Sequence, residues 1–484
     1  SGVRSGPRRG PCSLGHGVAL VRASRRVGLK TQRARSGPRG GLAPLSTGTL
    51  RIVEPLPARV DLAIVGAGTA GAAAALFAAR KGLRVLCLDR KPLAQAGARW
   101  INGVPSWLWK QVDLAAPTGP EFCGGGRVFH LVAGLDGGPG AQRVRIEGHA
   151  IEGVDMRLLL ERLQQDAVVA GARLEGELAV TAIEDGRRLV TAAGSVDCEW
   201  IVDASGLAGL DLLGSPALDR RDLCAAAQEV RHCDMTQARA YFDKHGARWG
   251  DTLCFTGIAG GYSILNLESH GDAISLLTGT IPVDCGISGR RLLDDFVAAQ
   301  PWIGAVEFGG SRAIPVRHSH DVLARGRIAA IGDAACQVFP AHGSGIAPQI
   351  LAARILADNL AAGAGPEGYG VEFQRRYGGL LASYDLFRRF SQDLAPGELE
   401  ALIEAGLMTP TSTRAGMDQR MPGLPPPAEL AAIASGLGRV PALARRMGAV
   451  VAKMAAAQGL YALYPRVPAA LEPWRRAVAR LFAS

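Results

Sequence analysis

Apolar residues occur along this chain in short runs separated by polar and glycine-rich segments. The run Leu62–Val65 predicts a buried strand, and the alanine-rich stretch that follows to about Arg80 has the composition of a helix. A second apolar run at residues 83–88 predicts another strand. Strand, helix and strand at this spacing form a βαβ unit, so the pattern predicts an α/β fold with a parallel sheet.

Glycines at the first strand-to-helix turn follow the spacing G-x-G-x-x-G. Gly66 permits a tight turn, Gly68 lets backbone N–H groups approach a pyrophosphate, and Gly71 lets the helix pack on the strand. The N-terminus of the helix then faces the phosphates. A carboxylate at the end of the second strand can accept hydrogen bonds from an adenosine ribose. The residues of this unit that we predict to bind a dinucleotide are Gly66, Gly68, Thr69, Ala70, Gly71, Asp89 and Arg90.

A second glycine-bearing segment lies far along the chain. Residues 327–331 predict a short buried strand that breaks at Gly332, and an apolar helix is predicted from Ile346 to about Leu360. The carboxylate of Asp333 can accept hydrogen bonds from hydroxyl groups, while backbone amides at the helix start can stabilise negative charge. The residues of this segment that we predict to bind a cofactor are Gly332, Asp333, Pro340, Gly343, Ser344, Gly345 and Ile346.

A third segment lies between these two. Residues 156–163 begin a predicted helix, residues 171–174 begin a strand, and Asp185-Gly186 stands where a hairpin turn is expected. Arg157, in the first turn of the helix, is either a cofactor-binding residue or an ordinary first-turn charge. An apolar strand then ends in Asp-Ala-Ser-Gly at residues 203–206.

Gly-Asp after a strand, followed by Pro and G-x-G before a helix, resembles the flavin-binding signature of the glutathione-reductase-type flavoproteins. The strand ending in Asp-Ala-Ser-Gly is similar to the branch that holds aromatic hydroxylases, flavin halogenases and geranylgeranyl reductases. The resemblance covers roughly residues 58–365. It implies FAD as the cofactor, with Asp333 holding the ribitol chain, and it puts Arg157 at a position that is often Arg in the family.

The resemblance also implies a domain organisation. We expect a Rossmann-like FAD-binding domain with a parallel sheet, an inserted and mainly antiparallel substrate domain, and a C-terminal helical cap. The expected bounds are 58–98, 150–212 and 312–364 for the discontinuous FAD-binding domain, 99–149 and 213–311 for the substrate domain, and 365–484 for the cap.

Flavin would carry the electrons, so the protein need supply binding, orientation and a proton. Only one G-x-G-x-x-G of the chain follows a predicted strand, so NAD(P)H would dock transiently beside the flavin, or an electron-donor protein would replace it. The proton-donor candidates are His342, suited by the near-neutral pKa of histidine, and Tyr262. A structural role is open for both. Tyr262 lies in residues 260–265, which we predict to be a strand of the substrate-facing sheet.

Several functions fit such a flavin site. We favour a C=C reductase similar to geranylgeranyl reductases, acting on an apolar or aromatic small molecule. An aromatic hydroxylase, a monooxygenase, would usually carry Asp-Gly followed by Arg in place of residues 203–209. A halogenase would need Trp-x-Trp-x-Ile-Pro, whereas residues 107–112 lack Ile-Pro and come too early. Outside enzymes, the alternative is a flavin-binding scaffold without turnover.

The charge of the chain is concentrated at one end. Residues 1–50 hold ten Lys and Arg and no Asp or Glu, which accounts for the whole formal net charge of +10. This basic tail is rich in Gly, Arg, Ser and Pro and is expected to be disordered. It is an organelle transit sequence, a nucleic-acid-binding arm, or translated sequence upstream of the true start. We favour the last and expect no nucleic-acid partner, because the tail has no aromatic residue to stack on bases.

Cysteine spacing and hydropathy bear on location. The nine cysteines include no C-x-x-C, so neither a disulfide framework nor a metal site is expected, and a cytoplasmic location is favoured. No run of about 18 apolar residues predicts a membrane-spanning helix. The last 50 residues predict short basic amphipathic helices broken at Pro441, Pro465, Pro468 and Pro473. These helices either contact an anionic membrane surface or pack on the body of the protein.

Overall fold

The computed structural model describes residues 55–135, 142–395 and 397–483. The predicted basic tail at residues 1–50 lies outside these ranges. The strands, in chain order, are β1 (Arg59–Val65), β2 (Val85–Leu88), β3 (Ile101–Pro105), β4 (Phe122–Gly125), β5 (Phe129–Ala133), β6 (Arg143–Ile146), β7 (Ile151–Asp155), β8 (Arg173–Glu175), β9 (Val180–Glu184), β10 (Arg188–Thr191), β11 (Gly194–Asp203), β12 (Leu223–Cys233), β13 (Thr252–Thr256), β14 (Ser263–His270), β15 (Ala273–Thr280), β16 (Ile303–Pro315), β17 (Ala324–Arg325) and β18 (Ile328–Ala330).

The helices surround these strands and make up most of the C-terminal part. In chain order they are α1 (Thr69–Arg80), α2 (Trp107–Val112), α3 (Met156–Val169), α4 (Met235–Lys244), α5 (Pro282–Cys285), α6 (Gly289–Ala298), α7 (Ile346–Ala361), α8 (Gly365–Phe373), α9 (Gly379–Gln392), α10 (Glu398–Glu404), α11 (Pro410–Met417), α12 (Pro427–Arg439), α13 (Pro441–Ala462) and α14 (Leu471–Phe482).

The first sheet is the predicted dinucleotide-type sheet. Its strand order is β17-β18-β11-β1-β2-β8, and β1 pairs in parallel with both β2 and β11. Helix α1 is buried along almost its whole length between this sheet and helices α3 and α7, which explains its small, uniformly apolar residues. It ends before Gly82, which adopts a left-handed φ of 83°. The predicted βαβ unit is therefore confirmed.

The hairpin predicted at Asp185-Gly186 is also confirmed. It joins β9 to the antiparallel β10, and both of its residues have positive φ, at 49° and 64°. This is the conformation of a type I′ turn, whose twist matches that of the flanking strands.

The second sheet has the order β16-β12-β15-β14-β13-β5-β6 and is antiparallel except where β13 pairs with β5. A three-stranded sheet, β3-β7-β4, lies beside it. Strand β7 belongs to this small sheet although it falls inside the predicted FAD-binding range 150–212. Strand β16 runs to Pro315, past the boundary expected at residue 312. The expectation for residues 260–265 was wrong at its start, because Gly260 and Gly261 have positive φ and β14 begins only at Ser263.

The C-terminal region is helical from α8 to α14. The prediction of short helices broken at four prolines was wrong in two respects: α13 is 22 residues long, and Pro473 lies inside α14. Proline at the start of a helix costs little, since the first N–H groups have no intrahelical partner. Trp474 of α14 is 7% exposed and packs edge-on against Tyr461 and Tyr464, so α14 rests on the body of the protein. Within the described ranges, no helix combines the length and apolar content that a membrane crossing requires.

Candidate FAD-binding site

The glycine turn between β1 and α1 depends on two close approaches of the backbone. Gly66 has a φ of 107°, and a Cβ there would overlap the carbonyl of Ala204. A Cβ on Gly71 would overlap the carbonyl oxygen of Gly66. Gly68 is the N-cap residue of α1, which has no capping side chain and no acidic residue in its first turn. The first backbone N–H groups of α1 are therefore available to an anion.

The end of β2 is tied to this turn. One oxygen of Asp89, Oδ2, accepts a hydrogen bond of 2.8 Å from the backbone N–H of Ala67, and Oδ1 accepts one of 2.9 Å from Lys91. Asp89 therefore fixes the turn, and its predicted contact with the adenosine ribose stays a prediction. Arg90 follows on the exposed surface.

The Gly-Asp segment packs directly against the first turn of α1. Gly332 has a φ of 74°, and a Cβ there would lie 3.0 Å from the Cβ of Ala70. Asp333 accepts a hydrogen bond of 2.7 Å from Gln349 Nε2 and lies 3.4 Å from the Arg312 guanidinium. Burial raises the pKa of Asp333 despite these two partners. A buried carboxylate with remaining acceptor capacity suits a ligand that donates from hydroxyl groups.

The predicted Gly343–Gly345 turn leads into α7. Ser344 is 8% exposed, and its hydroxyl donates to the backbone carbonyl of Gly103 at 3.2 Å. Pro340 is buried before the turn. The N-cap residue of α7 is Gly345, and no side chain caps this helix. A second helix N-terminus with free N–H groups therefore lies beside the first.

These elements enclose one cleft. It is lined by Gly68, Thr69, Ala70, Gly97, Ala98, Trp100, Asn102, Ala204, Gly206, Arg312, Ile314, Gly332, Asp333, Val338, Gly343, Gly345, Ile346 and Gln349. FAD fits this donor set. The uncapped α1 N-terminus would hold the pyrophosphate, Asp333 would accept from ribitol hydroxyls, and the α7 N-terminus would face the flavin ring.

Nine predicted residues are not part of this lining: Gly66, Gly71, Asp89, Arg90, Arg157, Tyr262, Pro340, His342 and Ser344. Arg157 pairs with Asp155 at 2.6 Å, and its guanidinium carbon lies 3.5 Å from the centroid of the Phe308 ring. Its side chain is thus already engaged by protein groups. Its predicted contact with the cofactor stays a prediction.

The two proton-donor candidates are also outside the lining. His342 Nδ1 accepts from the Ser344 N–H at 3.3 Å, and burial lowers the pKa of His342 to about 4. The imidazole is therefore neutral at pH 7. Tyr262 is 7% exposed in the apolar core, where burial raises its pKa well above the usual range. Tyr262 lines neither the FAD cleft nor the cavity beside it, and its predicted place in a substrate pocket stays a prediction. Catalysis by either residue is untested.

Sequence reasoning missed several lining residues. Gln349 stands in the first turns of a predicted helix, four residues after Gly345, and this spacing was the available signal. Arg312 and Ile314 lie on β16, whose position beside the cleft depends on its pairing with β12. Trp100 and Asn102 come from the start of the inserted part of the chain. No local pattern marks them.

Comparisons with known proteins agree with this site. A family model described as FAD dependent oxidoreductase matches residues 61–133, which include the glycine turn. A digeranylgeranylglycerophospholipid reductase of Sulfolobus acidocaldarius is 24% identical over 473 residues, covering 87% of this chain and 96% of that protein. The digeranylgeranylglycerophospholipid reductase 2 of Methanothermobacter thermautotrophicus is 26% identical over 378 residues, covering 72% of this chain and 91% of that protein.

Solved structures share the fold. A geranylgeranyl bacteriochlorophyll reductase-like protein from Thermoplasma acidophilum superposes with a TM-score of 0.59 at 18% identity, covering 80% of this chain and 99% of that one. The halogenase PltM gives a TM-score of 0.57 at 13% identity, covering 87% and 96%. The cleft and these likenesses together identify the chain as an FAD-dependent oxidoreductase that is similar in sequence to digeranylgeranylglycerophospholipid reductases.

Proposed function

We propose that this enzyme reduces a carbon–carbon double bond of an unsaturated, largely apolar small molecule. The observation that carries the proposal is the likeness to proteins named digeranylgeranylglycerophospholipid reductase, which extends over 87% of the chain and so includes the second sheet as well as the FAD cleft. Reduced FAD, when bound, supplies a hydride to one carbon of the double bond, and the other carbon takes up a proton.

The chain's own residues would bind the cofactor and orient it toward the substrate. The N-terminus of α1 would hold the pyrophosphate of the cofactor and Asp333 its ribitol chain, and Asn102 of β3 would face the substrate side of the cleft. Because His342 is neutral and buried, we assign it no proton transfer. The proton for the second carbon would come from solvent and must arrive before or together with the hydride, because hydride addition to an isolated double bond would leave an unstabilised carbanion.

The halogenase alternative is weakened by the surroundings of the cleft. None of the described residues that line it or the neighbouring cavity is a lysine, and Lys110 of the Trp107–Val112 segment is exposed on α2. Hydroxylation is the second candidate function, because hydroxylases share this flavin site. A flavin-binding scaffold without turnover is the outcome to expect if no acceptor reoxidises the reduced protein.

Other elements of the proposal concern partners and location. NAD(P)H docking transiently, or an electron-donor protein, would reduce the FAD. A cytoplasmic location is supported by the cysteines, since all eight in the described ranges are free. Peripheral membrane contact through the C-terminal helices is supported by exposed apolar side chains such as Leu430 of α12, 48% exposed, and Val451 of α13, 56% exposed. No nucleic-acid partner is proposed.

The test is anaerobic reduction of the FAD-loaded enzyme with NADPH or dithionite, followed by mixing with geranylgeraniol or other unsaturated acceptors. Recovery of the oxidised flavin spectrum without oxygen, together with a product that has gained two hydrogen atoms, is the expected result. Recovery only after admission of air, with a product that has gained an oxygen atom, would instead establish a hydroxylase. A protein that purifies without flavin would overturn the site.

A further inference from the structure

A second cavity adjoins the FAD cleft. It has about 650 Å³ of empty volume and lies between the second sheet and the three-stranded sheet. Asn102 of β3 lines both the cleft and this cavity. Gly103, the next residue, also lines the cavity and accepts the hydrogen bond from Ser344 beside the cleft. A molecule bound against Asn102 could therefore occupy both spaces.

The wall that the second sheet contributes is polar, although the sheet is otherwise apolar. Along β14, Leu265 and Leu267 point into the apolar core, while Asn266 and Glu268 line the cavity. Gln228 of β12 is already satisfied, because it accepts from the Ile101 N–H at 2.7 Å and donates to Ser275 at 3.2 Å. Polar groups on a covered sheet face cost free energy unless they find partners, so the remaining ones need a ligand or water.

The charged groups of this wall are paired with each other. Glu268 lies 3.0 Å from the Arg127 guanidinium and keeps 28% of its side chain exposed to the cavity. Arg127 is committed elsewhere as well, donating to the carbonyls of Ser269 and Cys123 at 2.8 Å each. Burial raises the pKa of Glu268. Arg127 is the only Lys or Arg among the described residues that line the cavity, so no uncommitted cation is available for an anionic group.

Two further lining residues are polar and uncharged. His149 Nδ1 accepts from the Ile151 N–H at 3.2 Å, so its proton is on Nε2, beside the backbone of Arg127. Burial lowers the pKa of His149, which keeps the ring neutral. Asn266 Oδ1 is without a partner in the protein. The wall of the cavity thus carries the acceptor oxygens of Asn266 and Glu268, which suit the donor of a hydroxyl group.

We propose that this second cavity binds an uncharged, hydroxyl-bearing end of the substrate and discriminates against the same molecule carrying a phosphate. The proposal rests on the proposed function, because the unsaturated part would extend past Asn102 to the FAD. It makes the substrate class an alcohol. Glu268 would repel a phosphate, while it accepts a hydrogen bond from a hydroxyl group.

The test compares geranylgeraniol with geranylgeranyl monophosphate on the oxidised, FAD-loaded enzyme, with binding read from the change in flavin absorbance and no turnover required. We expect the alcohol to bind at least tenfold more tightly. Glu268→Gln, which removes the charge and keeps an acceptor, should raise phosphate affinity and leave alcohol affinity nearly unchanged. Exposed Glu184, on β9, provides the control variant Glu184→Gln, which should change neither. Asn266→Leu should weaken alcohol binding about tenfold while FAD content stays at the wild-type level.

Equal or tighter binding of the monophosphate by the wild-type enzyme would overturn the assignment of this cavity, and so would an unchanged preference in Glu268→Gln. If Glu268→Gln does not fold, the wild-type comparison and Asn266→Leu decide. Failure of the reductase proposal is separate. Tight alcohol binding without anaerobic reoxidation of the flavin would reject the reductase and keep the cavity assignment. Anaerobic reoxidation at equal rates by the alcohol and the monophosphate would keep the reductase and reject the cavity assignment.

Discussion

Gln349 Nε2 donates a 2.7 Å hydrogen bond to Asp333 Oδ1, joining the start of α7 to the Gly332–Ala335 turn. The contact holds a carboxylate in place at the cleft although burial opposes its charge and raises its pKa. Such a carboxylate lowers the stability of the FAD-free protein, and it contributes to ligand binding when a ligand donates a hydrogen bond to it. Asp333 therefore connects the stability of the fold to cofactor binding.

Asp333→Asn should separate these two effects. Because the folded pKa is raised, the carboxyl group contributes stability only at low pH, and that stability is lost as pH rises through the folded pKa. At pH 7 the amide removes this penalty, so the thermal midpoint of the FAD-free variant should be at or above that of the wild type. FAD affinity should fall about tenfold, equivalent to about 1.4 kcal/mol for a lost charge-assisted hydrogen bond.

Calorimetry of the FAD-free protein and titration with FAD measure the two quantities. Asp272→Asn, in the exposed turn between β14 and β15, is the matched control and should alter neither. Full FAD affinity in Asp333→Asn would show that this carboxylate does not touch the cofactor.

Gly68→Val should abolish FAD retention while the protein stays folded. A Cβ at Gly68 would lie 3.3 Å from the Cα of Gly97 across the cleft, and the two methyl groups of valine would fill the space in front of the α1 N-terminus. The flavin-to-protein absorbance ratio after purification measures the loss, and circular dichroism checks the fold. Gly423→Val, at an exposed glycine with nothing within 4 Å of its Cβ position, should keep its flavin. A flavin-loaded Gly68→Val would place the pyrophosphate elsewhere.

Buried histidines should make the protein sensitive to mild acid. Burial lowers the pKa of both His320 and His342 to about 4. The unfolded chain therefore binds more protons than the folded protein between about pH 6.5 and pH 4, and stability falls as pH is lowered through this window. Urea unfolding at several pH values should show that the free energy of unfolding falls less with decreasing pH in the double variant His320→Gln, His342→Gln than in the wild type.

Exposed His232 supplies the control, since 68% of its side chain is in contact with solvent. His232→Gln should leave the pH dependence of the free energy of unfolding unchanged. A double variant with the wild-type slope would mean that the two rings are protonated in the folded protein.

A buried ion cluster should be a strong determinant of stability. Arg388 is 1% exposed and donates to Asp222 at 2.8 Å and to Asp385 at 2.6 Å, which joins the second sheet to α9. Arg388→Met removes one partner from two buried carboxylates, which keep Arg389 and, for Asp385, His318, so it should lower the free energy of unfolding by about 3 kcal/mol. Arg188→Met breaks the solvent-exposed pair with Asp197 and should leave the urea midpoint unchanged. Equal urea midpoints for the two variants would show that the ion pairs of Arg388 do not contribute to the stability of the fold.

Local sequence was sufficient where a residue's role depends on its immediate neighbours. The β1–α1 turn, the Asp185-Gly186 hairpin and the start of α7 at Ile346 follow from glycine conformation and hydrophobic period, which act over a few residues. Eight predicted cofactor residues therefore line one cleft: Gly68, Thr69, Ala70, Gly332, Asp333, Gly343, Gly345 and Ile346.

The sequence by itself determined the FAD-binding turns and the kind of fold that carries them. Only the tertiary structure decided that Arg312 reaches Asp333, that Tyr262 is enclosed in the core, and that a polar cavity opens behind Asn102. These relations depend on strand register and on the packing of one sheet against another. Along β14 the alternation of Leu265 and Leu267 with Asn266 and Glu268 separates the two faces locally, but which sheet covers the polar face is decided only by the tertiary packing.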